Sequence, residues 1–245
     1  MLKEVEGIII IERPYSETSK LLTIITREYG IINLMAKGAK RLNSTLRTST
    51  LKLTYAKFNI QYKKDKISTL INATIINPLK EIKKDITKIS YVSYILELSE
   101  QVSKEHFNDR LYDLMIASIL KIEDGYDPLS IMNILELKYL DFLGVMPIID
   151  SCSICGSKTN ILTLSASSGG FVCKNCYQND KIVSEKSLKL IRAYYYVDIS
   201  SLEKIDISDK IKNEINAFLD DYYDRYTGLY LKSKEFIKNL KLLEK

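Results

Sequence analysis

The sequence has no tryptophan and only one histidine among its 245 residues. That single residue, His106, nearly excludes catalysis that needs a histidine acid, base or activated nucleophile. Phe107 and Asn108 follow it, so the H-x-E pattern of zinc deaminases is missing. His106 lies in the mostly polar segment 103–109, which predicts a surface loop. No G-x-x-x-x-G-K-S/T phosphate-binding loop occurs. Because no acid–base constellation takes their place, the sequence predicts a binding protein and not an enzyme.

Long apolar runs are also missing. No stretch approaches the roughly 20 apolar residues of a membrane span. The run at residues 7–11 is short and lacks the cationic flank and cleavage site of a signal peptide. Cysteines occur only in two C-x-x-C pairs, which suits a reducing compartment better than a disulfide scaffold. These absences predict a cytoplasmic protein with no membrane partner.

The four cysteines form the strongest local motif. Cys152 with Cys155, and Cys173 with Cys176, are two C-x-x-C pairs separated by seventeen residues. This spacing predicts one structural Zn²⁺ held by four thiolates, with a short hairpin between the pairs. Four thiolates complete a tetrahedral zinc and leave no position for water or substrate, so the predicted role is in folding. Redox thiols and an exchangeable metal are the alternatives.

Charge is distributed unevenly along the chain. Residues 1–80 hold 14 Lys and Arg against 6 Asp and Glu, whereas residues 81–245 hold 22 against 25. Between Lys37 and Lys66 nine cations face the single anion Asp65. This asymmetry indicates a polyanionic partner such as nucleic acid; a solvated lysine-rich face is the alternative.

Five β-branched or alternating runs predict strands at residues 5–12, 21–25, 31–35, 51–62 and 67–76. The fourth run changes its apolar phase near Tyr55, which predicts a bulge or a sharp bend. Residues 40–49 predict a polar, basic loop. Five strands in so short a segment match a small barrel of the OB type, whose open face and loops commonly hold oligonucleotides. A five-stranded SH3-like barrel is the competing prediction.

After Pro78 the apolar residues recur at helical spacing, three times before the cysteine segment and three times after it. Asp127 and Pro128 predict the N-cap and first residue of the third helix, which ends at Gly144. Ser184 and Ser208 predict two further N-caps.

The predicted fold class is therefore α+β, with three parts. Residues 1–78 form an OB-fold nucleic-acid-binding barrel, residues 79–147 and 180–245 form an α-helical bundle, and residues 148–179 form a Cys₄ zinc-finger insert.

The candidate DNA-binding residues are cations of the first part: Lys20, Arg27, Lys37, Lys40, Arg41, Arg47, Lys52, Lys57, Lys63, Lys64 and Lys66. Among them the loop residues Lys37, Lys40, Arg41 and Arg47 are the preferred choice. Tyr55 and Tyr62 interleave with the lysines and could stack bases, or they could fill the barrel core. The tyrosines of residues 194–196 and 222–223 are expected to pack in the bundle.

Eight motifs follow one another along the chain: Gly7-Ile-Ile-Ile, Pro14-Tyr-Ser-Glu17, Thr26-Arg-Glu-Tyr-Gly30, Ala36-Lys-Gly-Ala-Lys-Arg41, Leu137-Lys-Tyr-Leu-Asp-Phe-Leu-Gly144, Cys152-Ser-Ile-Cys155-Gly156, Gly169-Gly-Phe-Val-Cys173-Lys-Asn-Cys176 and Leu231-Lys-Ser-Lys-Glu-Phe236. In this order they resemble the family of the bacterial recombination mediator RecO, over essentially the whole chain.

The resemblance implies a DNA-repair protein without enzymatic turnover, active in the cytoplasm at the nucleoid. It implies binding of single- and double-stranded DNA, annealing of complementary strands, and work with RecR to load RecA on DNA coated by single-strand-binding protein (SSB). It also implies that the acidic, apolar-ended SSB tail docks on the helical part, where an apolar groove edged by Lys121 or Lys138 would suit it. The competing hypothesis is a zinc-ribbon accessory factor of transcription or translation that binds RNA or protein.

Overall fold

The computed structural model describes residues 1–106, 108–203 and 206–243. The backbone packs as two units. The first comprises Met1–Ile89 and Ser103–Asp113, and the second comprises Ser90–Val102 and Leu114–Lys245. Each unit is described by itself below.

The first unit contains a closed barrel of five strands: β1 (Leu2–Pro14), β2 (Lys20–Thr26), β3 (Gly30–Ala36), β4 (Tyr55–Gln61) and β5 (Ser68–Asn77). The strand order is β1-β2-β3-β5-β4. Strand β1 pairs antiparallel with β2 through its second half and with β4 through its first half, and a short parallel pairing of β3 with β5 completes the circuit. This arrangement confirms the OB-type barrel and not the SH3-like alternative.

The barrel interior is filled by the β-branched and aromatic residues that alternate along the strands. Val5, Ile9, Leu22, Ile24 and Phe58 are fully buried in one apolar cluster. A short helix, α1 (Leu46–Ser49), adds Leu46 to that cluster. It lies in a segment for which the sequence predicted only a loop.

The long bent strand predicted at residues 51–62 is wrong in its first third. Strand β4 begins at Tyr55, and Leu53 before it has φ +58°, a left-handed conformation that interrupts a strand. The expected irregularity is present, because the pairing of β4 with β5 shifts between Tyr55 and Ala56. Leu51, the first residue of the predicted strand, lies before β4 and is exposed.

Eight helices lie in the described chain; after α1 they are α2 (Lys80–Lys83), α3 (Ile86–His106), α4 (Asp109–Glu123), α5 (Pro128–Phe142), α6 (Glu185–Tyr196), α7 (Asp209–Tyr226) and α8 (Lys232–Leu243). The hairpin of β6 (Ile161–Ser165) and β7 (Gly170–Cys173) stands between α5 and α6 in the chain. The predicted loop at residues 103–109 is wrong in its first half, since α3 continues to His106. The side chain of His106 lies outside the described residues. No helix in the described ranges is long and apolar enough to cross a bilayer.

The predicted helix boundaries of the second unit are largely confirmed. The Asp127 carboxylate accepts a hydrogen bond from the Ser130 N–H with Pro128 at the first position, and Ser184 caps α6 in the same way. Gly144, just beyond α5, has φ +70°, as a C′ residue should. Ser208 occupies the N-cap of α7, but its hydroxyl makes no capping hydrogen bond.

Polar contacts join α8 to the other helices of the second unit. The Glu97 carboxylate accepts hydrogen bonds from the backbone N–H groups of Lys232 (3.1 Å) and Ser233 (2.9 Å), so it caps the N-terminus of α8. Lys234 then reaches the fully buried Glu136 of α5. The C-terminal helix is thus an integral part of the bundle.

Candidate metal centre and nucleic-acid interface

The structure brings all four cysteine thiols together. Every pair of Sγ atoms of Cys152, Cys155, Cys173 and Cys176 lies within 4.8 Å, and those of Cys155 and Cys173 are 3.7 Å apart. A tetrahedral zinc with Zn–S bonds of about 2.3 Å separates its sulfur atoms by about 3.8 Å. The cluster therefore has the size of a zinc site, and its all-thiol donor set suits a soft metal.

The backbone around the cluster forms the two expected knuckles. The Gly156 N–H donates to the Cys152 carbonyl (2.8 Å), and the Cys176 N–H donates to the Cys173 carbonyl (3.1 Å). Gly170 has φ +149°, and a Cβ there would lie 2.1 Å from the Ile148 carbonyl oxygen. Only glycine allows the chain before the first knuckle to lie against the hairpin at this point.

The thiols of Cys152 and Cys176 differ in pKa. Burial raises the pKa of Cys152, but N–H groups of Cys173, Cys155 and Ile154 more than offset it and lower the value to about 6. Hydrogen bonding, first of all with Cys155, raises the pKa of Cys176 to about 12. A bound divalent cation would favour the thiolate form of all four.

The candidate DNA-binding cations divide between the two ends of the barrel. Lys37 and Arg41 line an open cleft of about 590 Å³ with Tyr15, Ser16 and Gly38; its other lining residues are Thr18, Ser19 and Met35. We call this the basic cleft. Lys40 adjoins it, because its Nζ donates to the Ser16 carbonyl at 3.0 Å. The cleft lies where β1 ends and β2 begins, in the loop position that OB folds use for oligonucleotides.

Arg47 and Lys52 are also exposed, Arg47 on α1. The N–H of Lys52 donates to Glu12, close to the end of β1, so Lys52 belongs to the same end of the barrel. Lys20 differs: its side chain is 10% exposed and its Nζ lies 2.6 Å from Glu12. A paired, buried ammonium is poorly placed to meet a phosphate.

The remaining candidates lie toward the other end, where β1 starts. Lys63, Lys64 and Lys66 are exposed in the β4–β5 turn. Lys57 pairs with Glu4 at 3.8 Å, and Arg27 pairs with Asp113 at 3.0 Å. Carboxylates therefore offset some of the cations at this end.

The two candidate aromatic platforms, Tyr55 at the start of β4 and Tyr62 directly after its end, are largely occupied. Tyr55 is buried and its hydroxyl donates to the Glu6 carboxylate, and burial raises the pKa of Tyr55. Tyr62 is half-buried and stacks on Tyr29 with ring centroids 4.3 Å apart. The available aromatic is instead Tyr15, which is 62% exposed in the basic cleft. The local sequence gives no signal for this role, because Tyr15 lies between the strands predicted at residues 5–12 and 21–25 and its exposure depends on the fold.

The tyrosines of the second unit follow the expectation in part. Tyr194, Tyr222 and Tyr223 are buried in the bundle. Tyr196 is exposed and its hydroxyl donates to Asp150 at 3.0 Å, so the prediction was wrong for this residue.

The second unit also holds an apolar cavity of about 430 Å³. Ile131 and Ile134 of α5 and Leu190 and Ala193 of α6 form much of its wall, and Leu202 closes one side. Two of the polar residues on the wall are Glu203 and Asp206.

Of the two cations expected near such a groove, Lys121 contacts its wall, and Lys138 contacts the residue that follows the wall residue Tyr194. The Lys121 Nζ donates to the Leu202 carbonyl at 2.8 Å and lies 4.7 Å from the ring centroid of Tyr126, another wall residue. The Lys138 Nζ donates to the Tyr195 carbonyl at 2.7 Å. Lys212 neutralises Asp127 on the rim at 3.1 Å.

Comparison with known proteins gives matches over nearly the whole chain. The family model described as "Recombination protein O N terminal" matches residues 1–79, and "Recombination protein O C terminal" matches residues 83–235. The "DNA repair protein RecO" of Bacillus pumilus (strain SAFR-032) is 35% identical over 249 residues, covering 100% of this chain and 97% of the relative. The protein of the same name from Listeria monocytogenes serotype 4a (strain HCC23) is 34% identical, covering 98% and 95%.

Proposed function

The chain belongs to the RecO family, and from this we propose that it is a non-enzymatic mediator of DNA repair by recombination. It binds single- and double-stranded DNA, anneals complementary strands, and with RecR helps to load RecA onto single strands coated by SSB. It would do so in the cytoplasm, at the nucleoid. The observation that supports DNA binding best is the basic cleft, where Lys37, Lys40 and Arg41 meet on an OB-type barrel.

The three predicted parts take different roles in this proposal. Residues 1–78 hold the DNA. Residues 79–147 and 180–245 hold protein partners, and residues 148–179 are a zinc-finger insert whose single Zn²⁺ stabilises the hairpin. This division follows the chemistry of each part: cations on the barrel, an apolar cavity between helices, and thiols at the hairpin.

Annealing follows from charge neutralisation. Lysine and arginine side chains that contact phosphates release condensed counterions, and the bound strand repels a second strand less. A protein that tethers SSB at the same time raises the local concentration of its single-stranded substrate. The chain itself then needs no covalent chemistry.

Replacing Lys37, Lys40 and Arg41 together by alanine is expected to weaken binding of single-stranded DNA and to flatten its salt dependence. Each single-strand phosphate contact contributes roughly 0.7 to the slope of log K against log salt, so losing three lowers the slope by about 2. Fluorescence anisotropy with labelled oligonucleotides over a salt series measures both the affinity and its salt dependence. An RNA of the same sequence, measured in the same way, tests the accessory-factor alternative.

The matched control replaces Lys63, Lys64 and Lys66, which carry the same charge at the other end of the barrel. We expect a smaller change in slope for this variant. Equal slopes for wild type and the cleft variant would place the DNA site elsewhere. Tighter binding of the RNA would favour the accessory factor.

We propose that the apolar end of the SSB tail enters the apolar cavity of the second unit. The wall of Ile131, Ile134 and Leu190 suits apolar side chains, and Lys121 beside it suits a carboxylate. Glu203 and Asp206 would repel an acidic peptide, so the carboxylates of the tail would keep to the Lys121 side.

Substituting Ala193→Phe is expected to weaken binding of an SSB-tail peptide at least about tenfold, because a phenyl ring on the exposed wall residue Ala193 would fill the cavity mouth. Lys189→Phe, on the exposed surface of the same helix and outside the cavity wall, is the control. Calorimetry with the peptide measures both. If Ala193→Phe binds the peptide like wild type, the tail docks somewhere else.

A further inference from the structure

We propose that the basic cleft accepts one unpaired nucleotide, with its base stacked on Tyr15 and its phosphate between Lys37 and Arg41. The cleft would then be the element that distinguishes single strands from duplex. This inference deepens the proposed DNA-binding function and rests on it.

Tyr15 has the exposure that a stacking platform needs. At 62% exposed it contributes little to the barrel core, and the residues on either side of it, Pro14 and Ser16, are exposed as well. The other exposed tyrosines in the described part of the chain have different surroundings. The Tyr196 hydroxyl donates to Asp150, and the Tyr226 hydroxyl donates to the Ala166 carbonyl. Tyr230 follows the end of α7 and belongs to the other unit.

The loop that carries Tyr15 is tied in place by hydrogen bonds. The Tyr15 N–H donates to the Ser19 carbonyl at 3.1 Å, and the Ser19 N–H donates to the Ser16 hydroxyl at 3.2 Å. The loop is in turn fixed to the segment after β3, since the Lys40 N–H donates to the Thr18 carbonyl at 2.8 Å. The aromatic ring and the cations are therefore held by loops that hydrogen-bond to each other, which reduces the conformational entropy lost on binding.

The chemistry of the wall matches a nucleotide. Tyr15 and Met35 offer apolar surface to a base, and Ser16 offers a hydroxyl. The guanidinium of Arg41 can donate two parallel hydrogen bonds to a phosphate, and Lys37 adds a second charge. A volume of about 590 Å³ leaves room for a base with its sugar and phosphate.

Single strands are favoured because a base must leave its stack to reach Tyr15. An unpaired base does so at small cost, whereas a base in a duplex must first break its pair. The phosphate contacts are available to both kinds of DNA. The cleft would thus add a preference for single strands to phosphate contacts that do not distinguish single strands from duplex.

The test compares three probes at one salt concentration: oligodeoxythymidylate, an abasic strand of equal length, and a duplex. Tyr15→Ala should weaken binding of the oligodeoxythymidylate about 5- to 150-fold, the range expected for one stacked base. It should change binding of the abasic strand and the duplex less than about twofold. Tyr15→Trp should keep the wild-type preference, since it also offers a ring.

Tyr230→Ala, which removes an equally exposed tyrosine from the other unit, is the control and should bind all three probes like wild type. Unchanged oligodeoxythymidylate binding by Tyr15→Ala, or an equal loss on all three probes, would overturn the nucleotide pocket and leave the DNA-binding proposal standing. That proposal itself fails only if the wild-type protein binds none of the probes.

Discussion

Removing the metal with a strong chelator, or replacing Cys173 by serine, is expected to unfold the β6–β7 hairpin. The hairpin has strands of only five and four residues, and a two-stranded sheet of this size is marginal in water. A structural zinc contributes on the order of 10 kcal/mol to the folding of such a segment, so its loss should exceed what the remaining contacts can offset. Metal analysis should find one zinc per chain before treatment.

Hydrogen exchange localises the effect. Amides of the two knuckles and of β7 should lose protection, whereas those of β1 to β5 should keep it, because every strand of the barrel belongs to the other unit. DNA binding through the basic cleft should survive for the same reason. Lys174→Ala, an exposed neighbour of Cys173, is the control and should retain both the metal and the protection. Unchanged exchange after complete removal of the metal would show that the thiols do not hold the hairpin together.

Local signals explain the features that the sequence predicted well. The spacing of the cysteine pairs favours two knuckles whose four thiols converge, wherever the pairs stand in a fold. Asp127 followed by Pro128, and Gly144 after α5, act through their own backbone geometry, so their roles do not depend on distant parts of the chain.

Sequence patterns were least informative where contacts between distant residues determine the structure. Alternation along residues 51–62 looked like one strand, but Leu53 turns to left-handed φ, and its N–H donates to the Ile9 carbonyl of β1 instead of continuing the regular ladder. Lys20 looked like its cationic neighbours, and only the folded barrel shows that Glu12 pairs with it. Tyr15 stands between two predicted strands, and that position says nothing about the 590 Å³ cleft that it lines together with Lys37 and Arg41.

The second unit contains a buried ionic cluster that the sequence did not predict. Glu136 is fully buried on α5, and the Lys234 Nζ of α8 lies 3.3 Å from its carboxylate and 2.7 Å from that of Asp220. The Tyr94 hydroxyl donates to the same Glu136 oxygen, and the rings of Tyr94 and Tyr223 flank the ammonium at 5.7 and 5.3 Å. Lys234 is therefore the counter-charge that allows a carboxylate inside the bundle.

Substituting Lys234→Met is expected to lower the free energy of unfolding by about 3–5 kcal/mol. Methionine keeps most of the apolar stem but removes the charge, so Glu136 is left buried without a cation. Lys238→Met, on the exposed side of the same helix, should change stability by less than about 0.5 kcal/mol. Urea denaturation followed by circular dichroism measures both variants.

The pH dependence separates an uncompensated charge from simple loss of packing. Burial raises the pKa of Glu136, and Lys234 is the main group that opposes the rise. Without Lys234 that pKa rises further, and a carboxyl with a raised folded-state pKa contributes stability at low pH that is lost as pH rises through that pKa. The deficit of Lys234→Met should therefore shrink as the pH falls from about 8 toward 5. Adding Glu136→Gln should recover much of the loss at neutral pH, because an amide carries no charge to bury. A deficit that stays the same at every pH and in the double variant would mean that Lys234 acts through its methylene groups alone.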